Sequence, residues 1–172
     1  GRLVLDNDAL IISTPVYWYT VSGVLKNFVD RLTSMENMIR HTGRSLLEGK
    51  VAGFIAVGND TGALNTIAWL MVTLNSMGVH VPAWALAYHE SKNPVEENEA
   101  ALLDAANVGR IVVKAARLLR EVKAWYDAGL RERIKNYLDT VRAELDAFTD
   151  RERVRRIRVY GLAEPRNHGL PG

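Results

Sequence analysis

Two uninterrupted apolar runs constrain the fold more than any other feature of the sequence. Residues 9–14 read ALIIST and residues 51–58 read VAGFIAVG, and neither run alternates apolar with polar residues. Strands that are buried on both faces of a parallel sheet have this pattern. A third candidate strand, residues 79–87, contains Pro82, which cannot donate a hydrogen bond to a neighbouring strand and suits a strand start or an edge.

Apolar residues recur at helical spacing between these runs. One helix is predicted around Leu25 and Leu32, a second around Ile67 and Leu74, with Gly78 as its stop, and a third over residues 94–121. The alternation of strands and helices predicts an α/β doubly wound sheet with parallel strands.

Such sheets bind ligands where the carboxyl ends of their strands meet, and two unusual loops follow the first two strands. The first contains Tyr17, Trp18 and Tyr19 within STPVYWYTVSG, although such turns normally favour small polar residues. The second, GNDTGAL, combines glycines with short polar side chains. Flat rings in one loop and accessible backbone in the other favour a planar, partly polar heterocycle as ligand.

These residues resemble the flavodoxin-like NADPH-dependent FMN reductases, a family that includes flavin-dependent quinone reductases. The resemblance lies in DALIISTPVYWYTVSGVLKNFVDRL, VAGFIAVGNDTGAL and LNSMGVHVPAWALAYHE, within residues 4–121. It implies a flavodoxin-like fold, FMN as cofactor, NAD(P)H as electron donor and a small-molecule acceptor such as a quinone or free flavin.

The resemblance also implies which residues would bind the cofactor. The first loop would pass along the flavin ring and the second would line the pyrimidine edge of that ring. The residues so assigned are Thr14, Pro15, Val16, Tyr17 and Trp18 in the first loop, and Gly58, Asn59, Asp60, Thr61 and Gly62 in the second. The alternative is that the three aromatic residues belong to a core or an oligomer contact, where Trp and Tyr are also common.

The sequence departs from the family pattern before residue 9. Family members begin with a strand and a loop that binds the FMN phosphate at a helix N-terminus, and no such segment precedes this first strand. We therefore expect a sheet that is incomplete on its N-terminal side, because the chain is a fragment, lacks residues or receives this part from elsewhere. No residue is assigned to the phosphate, and weak FMN binding is expected.

The segment after residue 121 has no counterpart in the family pattern, so the predicted domains are residues 1–121 and 122–172. A helix is predicted there with one apolar stripe, which a partner subunit or the chain's own domain would cover; we expect a dimer. The stripe residues are Leu130, Ile134, Leu138, Val141, Leu145 and Phe148.

Near the end, TDRE either caps a short helix or leads straight into RVRRIRVYG, where Arg alternates with Ile and Val as in a half-exposed strand. Together with AEPRNHG it faintly resembles the family's first strand and phosphate loop. In such a permuted arrangement residues 157–160 would pair beside residues 9–14. Nucleic-acid binding by the Arg run is less favoured, because acidic residues dilute the charge and no aromatic residues are interleaved for stacking.

The remaining features limit the function classes. The chain has no cysteine, which excludes disulfides and thiol chemistry, and its four histidines lack the spacing of metal ligands. No G-x-S-x-G motif supports a hydrolase, and the absence of an apolar membrane span or secretory signal favours a cytoplasmic protein. Tyr88 and His89, which directly follow the third predicted strand at its ligand end, are either substrate-facing or ordinary loop residues.

These arguments favour an FMN-dependent NAD(P)H oxidoreductase over two alternatives. A flavodoxin-type electron carrier would normally be strongly acidic for docking to its partners, whereas the sequence pI is about 9.0. A non-catalytic subunit that has lost the cofactor remains the third possibility, because the expected phosphate loop is missing.

Overall fold

The computed structural model describes residues 1–122 and 124–161, and it divides the chain into two units, Gly1–Tyr126 and Asp127–Gly172. The first unit contains a parallel three-stranded sheet and the second contains one long helix. The elements are α1 (Arg2–Leu5), β1 (Ala9–Pro15), α2 (Gly23–Glu36), α3 (Ile39–Thr42), β2 (Val51–Gly58), α4 (Ala63–Ser76), β3 (Leu86–Glu90), a 3₁₀ turn (Val95–Glu97), α5 (Glu99–Leu119) and α6 (Leu130–Tyr160).

The sheet has the order β1-β2-β3 with both pairs parallel. Thr14 of β1 lies opposite Ala56 of β2, and Gly58 of β2 lies opposite Glu90 of β3. The loops that follow β1 and β2 therefore lie side by side at one edge of the sheet. This arrangement confirms the predicted parallel α/β sheet and the predicted adjacency of its two ligand loops.

The central strand β2 is buried on both faces, as its continuous apolar sequence predicts. On one face Phe54 packs with residues of α2 and α4, including Leu32 and Ile67. On the other face Val51 packs with Val108 and Val112 of α5. Helices therefore cover both sides of the strand, which explains why it lacks polar alternation.

A glycine in β2 allows α5 to approach closely. A Cβ atom added to Gly53 would lie 2.6 Å from side-chain carbons of both Val108 and Val112. Real Cβ contacts are never this short, so any larger residue would push the helix away from the sheet.

The third strand begins later than predicted. Residues 79–87 were expected to form it, but only an isolated bridge joins His80 to Val51, and β3 runs from Leu86 to Glu90. Two residues explain the shift: Pro82 has no N–H to donate, and Trp84 adopts a left-handed conformation with φ of 57°, which breaks an extended chain. Tyr88 and His89 consequently lie within the strand.

The predicted strand at residues 157–160 is wrong, because these residues form the last turns of α6. TDRE lies inside the same helix and caps nothing, and the helix ends at Gly161, whose φ is 60°. Arg is a good helix former, so a segment that alternates Arg with Ile and Val can be helical when it does not pair with the edge of a sheet. The permuted pairing with β1 is therefore also wrong, and residues 162–172 lie outside the described residues.

The helix α6 presents its predicted apolar stripe to solvent. No residue of this 31-residue helix is buried, and Leu138 and Phe148 are each more than half exposed. Within residues 1–122 and 124–161, no helix combines the length and the apolar character that crossing a lipid bilayer requires.

Candidate functional site

A cleft of about 840 Å³ opens at the carboxyl edge of the sheet. This volume lies within the range of roughly 300–1,000 Å³ that is typical of small-molecule sites. It is lined by Ser13, Thr14, Pro15, Val16, Tyr17, Trp18 and Tyr19 from the first loop, and by Val57, Gly58, Asn59, Asp60 and Thr61 from the second. Nine of the ten residues that the sequence assigned to a cofactor are therefore brought together here.

The aromatic segment of the first loop forms a tight two-residue turn. Tyr17 N–H donates to the carbonyl of Thr20 at 2.9 Å, and Thr20 N–H donates to the carbonyl of Tyr17 at 3.1 Å. The two central residues, Trp18 and Tyr19, have φ of 51° and 65°. Two left-handed central residues are typical of type I′ hairpin turns, which strongly prefer Asn-Gly.

Placing two ring-bearing residues in this turn is costly. A left-handed conformation costs a residue with a Cβ atom roughly 1–2 kcal/mol. Backbone strain of this kind persists where the surrounding structure enforces it, and it concentrates at binding and catalytic sites. The strain therefore points to a function for the rings at this position.

The rings remain largely exposed and unstacked in the described part of the chain. Trp18 is 92% exposed, and Tyr17 and Tyr19 are each more than half exposed. Within the part of the chain that the structure describes, none of the three makes a contact with another aromatic ring. Three flat apolar surfaces beside one cleft can stack on a planar ligand.

Gly62 does not line the cleft, but it holds the two loops together. Its φ is 101°, and an added Cβ atom would lie 2.9 Å from Cδ1 of Tyr19 and 3.0 Å from Cα of Tyr19. At Gly58 an added Cβ atom would lie 3.2 Å from Cβ of Val16. Both glycines therefore allow the two loops to pack closely, and Gly58 also lines the cleft.

The second loop offers unused polar groups. Among the described residues, the backbone N–H groups and side chains of Asn59, Asp60 and Thr61 have no hydrogen-bond partner, and all three residues are exposed. Amide donors and short polar side chains at one wall of a cleft can bind the polar edge of a heterocycle. This donor set fits a flavin ring as far as hydrogen-bonding capacity is concerned.

Thr14 has a different role from its neighbours. It is buried, its hydroxyl donates to the carbonyl of Pro15 at 2.9 Å, and its oxygen accepts from the N–H of Ser22 at 3.4 Å. Ser22 is in turn the N-cap of α2, accepting from the N–H of Leu25. The Thr14 side chain therefore ties the first loop to the start of α2.

The end of β3 contains one contact that the sequence did not reveal, and it shows which role His89 has. Glu90 accepts a hydrogen bond from the backbone N–H of Ala63 at 2.6 Å, at the start of α4. His89 is buried: its Nε2 donates to the carbonyl of Asn93 at 2.9 Å, and its Nδ1 accepts from the side-chain amide of Asn98 at 3.1 Å. His89 is thus a structural anchor of the loop before α5, whereas Tyr88 is partly exposed.

The Glu90 contact escaped the sequence interpretation because its partner lies 27 residues away. One signal in the sequence could have revealed this contact. Glu90 is an acidic residue at the carboxyl end of a strand, and the neighbouring strand ends in a glycine-rich loop.

Comparison with known proteins places the chain among flavoproteins. The family model described as NADPH-dependent FMN reductase matches residues 1–92. An iron-sulfur flavoprotein from Archaeoglobus fulgidus is 30% identical over 115 residues, which cover 66% of this chain and 49% of that protein. The chain therefore spans about half the length of that relative.

Solved structures show the same fold. RosB with its bound intermediate 8-demethyl-8-formylriboflavin-5'-phosphate superposes with a TM-score of 0.62 at 23% identity, covering 81% of this chain and 58% of RosB. A flavodoxin, WrbA-like protein from Agrobacterium tumefaciens gives a TM-score of 0.53 at 21% identity, covering 66% of this chain and 71% of that chain. The α/β fold is accordingly flavodoxin-like.

Proposed function

Because the chain belongs to the NADPH-dependent FMN reductase family, whose model matches residues 1–92, we propose that it forms part of an FMN-dependent oxidoreductase. Its electron donor would be NAD(P)H and its acceptor a quinone, a free flavin or a similar small molecule. The observation that carries the proposal is the cleft itself, where exposed rings on a strained turn face a loop with unpartnered polar groups.

Bound FMN would supply the redox chemistry, hydride acceptance from NAD(P)H and electron donation to the acceptor. The chain supplies binding and orientation. Tyr17 and Trp18 would lie against the ring, and the amides of Asn59, Asp60 and Thr61 would bond its polar edge. Neither loop offers a buried acid or base, and a flavin-dependent transfer requires none from the protein.

The exposed position of Trp18 also indicates which kind of electron acceptor the cleft would favour. A ring that remains open to solvent beside the cleft can stack on a second planar molecule as well as on a cofactor. We therefore propose planar acceptors in preference to compact hydrophilic ones.

A flavin titration tests the binding part of this proposal. We expect protein fluorescence to be quenched and flavin absorption to shift when riboflavin or FMN is added. The variant Trp18→Ala should weaken binding about tenfold, as base–aromatic stacks of 1–3 kcal/mol suggest. Trp84→Ala is a matched control, because Trp84 is also exposed and left-handed but lies outside the cleft lining.

Absence of flavin binding in the unmodified protein would refute the proposal and favour a subunit that has lost the cofactor. Flavin binding without NAD(P)H oxidation in the absence of a protein partner would instead favour the electron carrier.

Self-association remains a prediction. Five of the six stripe residues of α6 are exposed in the described part of the chain, and Val141 is partly buried. An exposed apolar patch of this size is costly for a monomer. Sedimentation analysis should give a dimer that the variant Leu138→Lys dissociates. A monomer at all concentrations would contradict this prediction.

A further inference from the structure

The carboxylate of Glu90 caps a helix that belongs to a different strand–helix unit. Glu90 is the last residue of β3, and its Oε1 accepts from the N–H of Ala63, the first residue of α4, at 2.6 Å. The N-cap of α4 is Gly62, which has no side chain to serve this role. One of the N–H groups left unpaired at the helix start is thus satisfied by a residue from the neighbouring strand.

A second bond ties the other end of the same loop to β3. The N–H of Ser91 donates to the carbonyl of Gly58 at 3.0 Å, directly beside the register pair of Gly58 and Glu90. The loop of residues 59–62 therefore runs between two points, Gly58 and Ala63, and both are bonded to the end of β3. Its unpartnered amides are held at both ends, although the loop itself contains no internal side-chain bond among the described residues.

We propose that Glu90 is a positioning residue for the second loop of the cleft, setting the orientation of the amides of Asn59, Asp60 and Thr61 toward the ring of a bound flavin. This inference rests on the proposed function. Charge-assisted bonds from a carboxylate to a helix N-terminus are short and strong, so Glu90 fixes the end of the loop more firmly than a neutral cap would.

The charge of Glu90 also determines which part of the ligand lies here. A helix N-terminus otherwise attracts phosphate, but a carboxylate already bonded to Ala63 neutralises the helix dipole and repels a second anion. The start of α4 therefore serves the uncharged ring and not the phosphate. Loss of Glu90 should affect riboflavin and FMN by the same factor.

The test compares Glu90→Ala and Glu90→Gln with the control Glu96→Ala, an exposed glutamate in the 3₁₀ turn. Hydrogen exchange of the Ala63 amide is measured in the protein without flavin, and dissociation constants are measured for riboflavin and FMN. In Glu90→Ala we expect Ala63 to exchange about tenfold faster and both flavins to bind about tenfold more weakly. Glu90→Gln retains an oxygen acceptor but loses the charge, so both effects should be intermediate, about threefold.

The outcomes separate this inference from the proposed function. If the unmodified protein binds neither flavin, the function is wrong and the inference falls with it. If it binds flavin and Glu90→Ala binds equally well, only the positioning role is overturned. If Glu90→Gln strengthens FMN relative to riboflavin, the start of α4 is a phosphate site and the inference is likewise overturned. Should Glu90→Ala fail to fold, Glu90→Asp, whose carboxylate is one methylene shorter, should give the same loss of affinity.

Discussion

The tryptophans at the two ends of the sheet differ in exposure and in contacts. At the carboxyl end Trp18 is almost fully exposed on a strained turn and has no ring partner within the described residues. At the amino end Trp125 packs edge-on against His80, with ring centroids 4.1 Å apart. Its backbone N–H also donates to Glu48 at 2.5 Å. Contacts that are already satisfied indicate a structural role for Trp125, whereas exposure on a strained turn within the lining of the cleft indicates a ligand-binding role for Trp18.

The carboxylates at the two ends repeat this contrast. Both Glu48 and Glu90 accept from backbone amides distant in sequence. The Glu48 side chain is only 2% exposed and binds the segment of Trp125 and Tyr126, which leads out of the first unit. Glu90 binds the start of α4, next to unpartnered polar groups of the cleft. A carboxylate that accepts from distant backbone amides therefore fixes a packed segment at the amino end of the sheet and a loop of the open cleft at the carboxyl end.

The largest effect is expected at the amino end. Glu48→Ala removes the acceptor of two amides and leaves Arg44, whose Nε lies 3.7 Å from Glu48 Oε2, without this carboxylate. We expect a loss of about 2–4 kcal/mol in the free energy of unfolding, from the energies of hydrogen bonds to charged groups. Urea denaturation measures it.

Flavin affinity should stay unchanged in Glu48→Ala, because the substitution lies at the other end of the sheet. If folded Glu48→Ala also loses flavin affinity, the two ends of the sheet do not have separate structural and binding roles. Glu96→Ala again serves as the control and should alter neither quantity.

A smaller effect of opposite sign is expected at the carboxyl end. Trp18→Gly relieves a left-handed residue that buries little surface, so the free energy of unfolding should rise by about 1 kcal/mol. Flavin binding should weaken at the same time, because the stacking ring is lost. Thermal unfolding and fluorescence titration on the same samples measure both.

Trp84→Gly sharpens this comparison. Trp84 is also exposed and has φ of 57°, so its replacement should bring a similar gain in stability. Flavin affinity should not change, because Trp84 is not part of the cleft lining. Equal loss of affinity in both variants would show that ring exposure alone does not mark the binding site.

Local features of this molecule were predictable from the sequence, and distant contacts were not. The strands β1 and β2 and both cleft loops follow from short stretches of distinctive composition. The expectation that β1 is buried on both faces, as β2 is, was wrong, because Ile11 is 51% exposed and only Ile12 and Thr14 of β1 are buried. The bonds of Glu90 to Ala63 and of Glu48 to Trp125 join residues 27 and 77 positions apart, and no local pattern encodes them.

The two errors in secondary structure have different causes. In residues 79–87 the apolar composition suits a strand, but the left-handed Trp84 delays it, and a positive φ at tryptophan cannot be expected from propensity. In residues 157–160 the short alternation of Arg with Ile and Val fits period 2, yet the residues continue a helix that began at Leu130. Four residues are too few to distinguish the two periods.

The smallest effect concerns pH and Lys50, at the amino end of β2. Burial lowers the pKa of Lys50 from its ordinary value of 10.5, and the nearby carboxylates of Asp8 and Asp6 offset part of that shift. Its Nζ donates to the carbonyls of Leu5 and Asn7. Because the folded-state pKa is below that of the unfolded chain, the unfolded state binds more protons between the two values, and stability rises with pH through that window. We expect the unfolding free energy to rise toward pH 10.5 relative to Lys50→Met, which lacks this group. Taking the difference in unfolding free energy between the two proteins cancels the titration of all other groups. If that difference falls as the pH rises, burial is not the main cause of the shift in the pKa of Lys50.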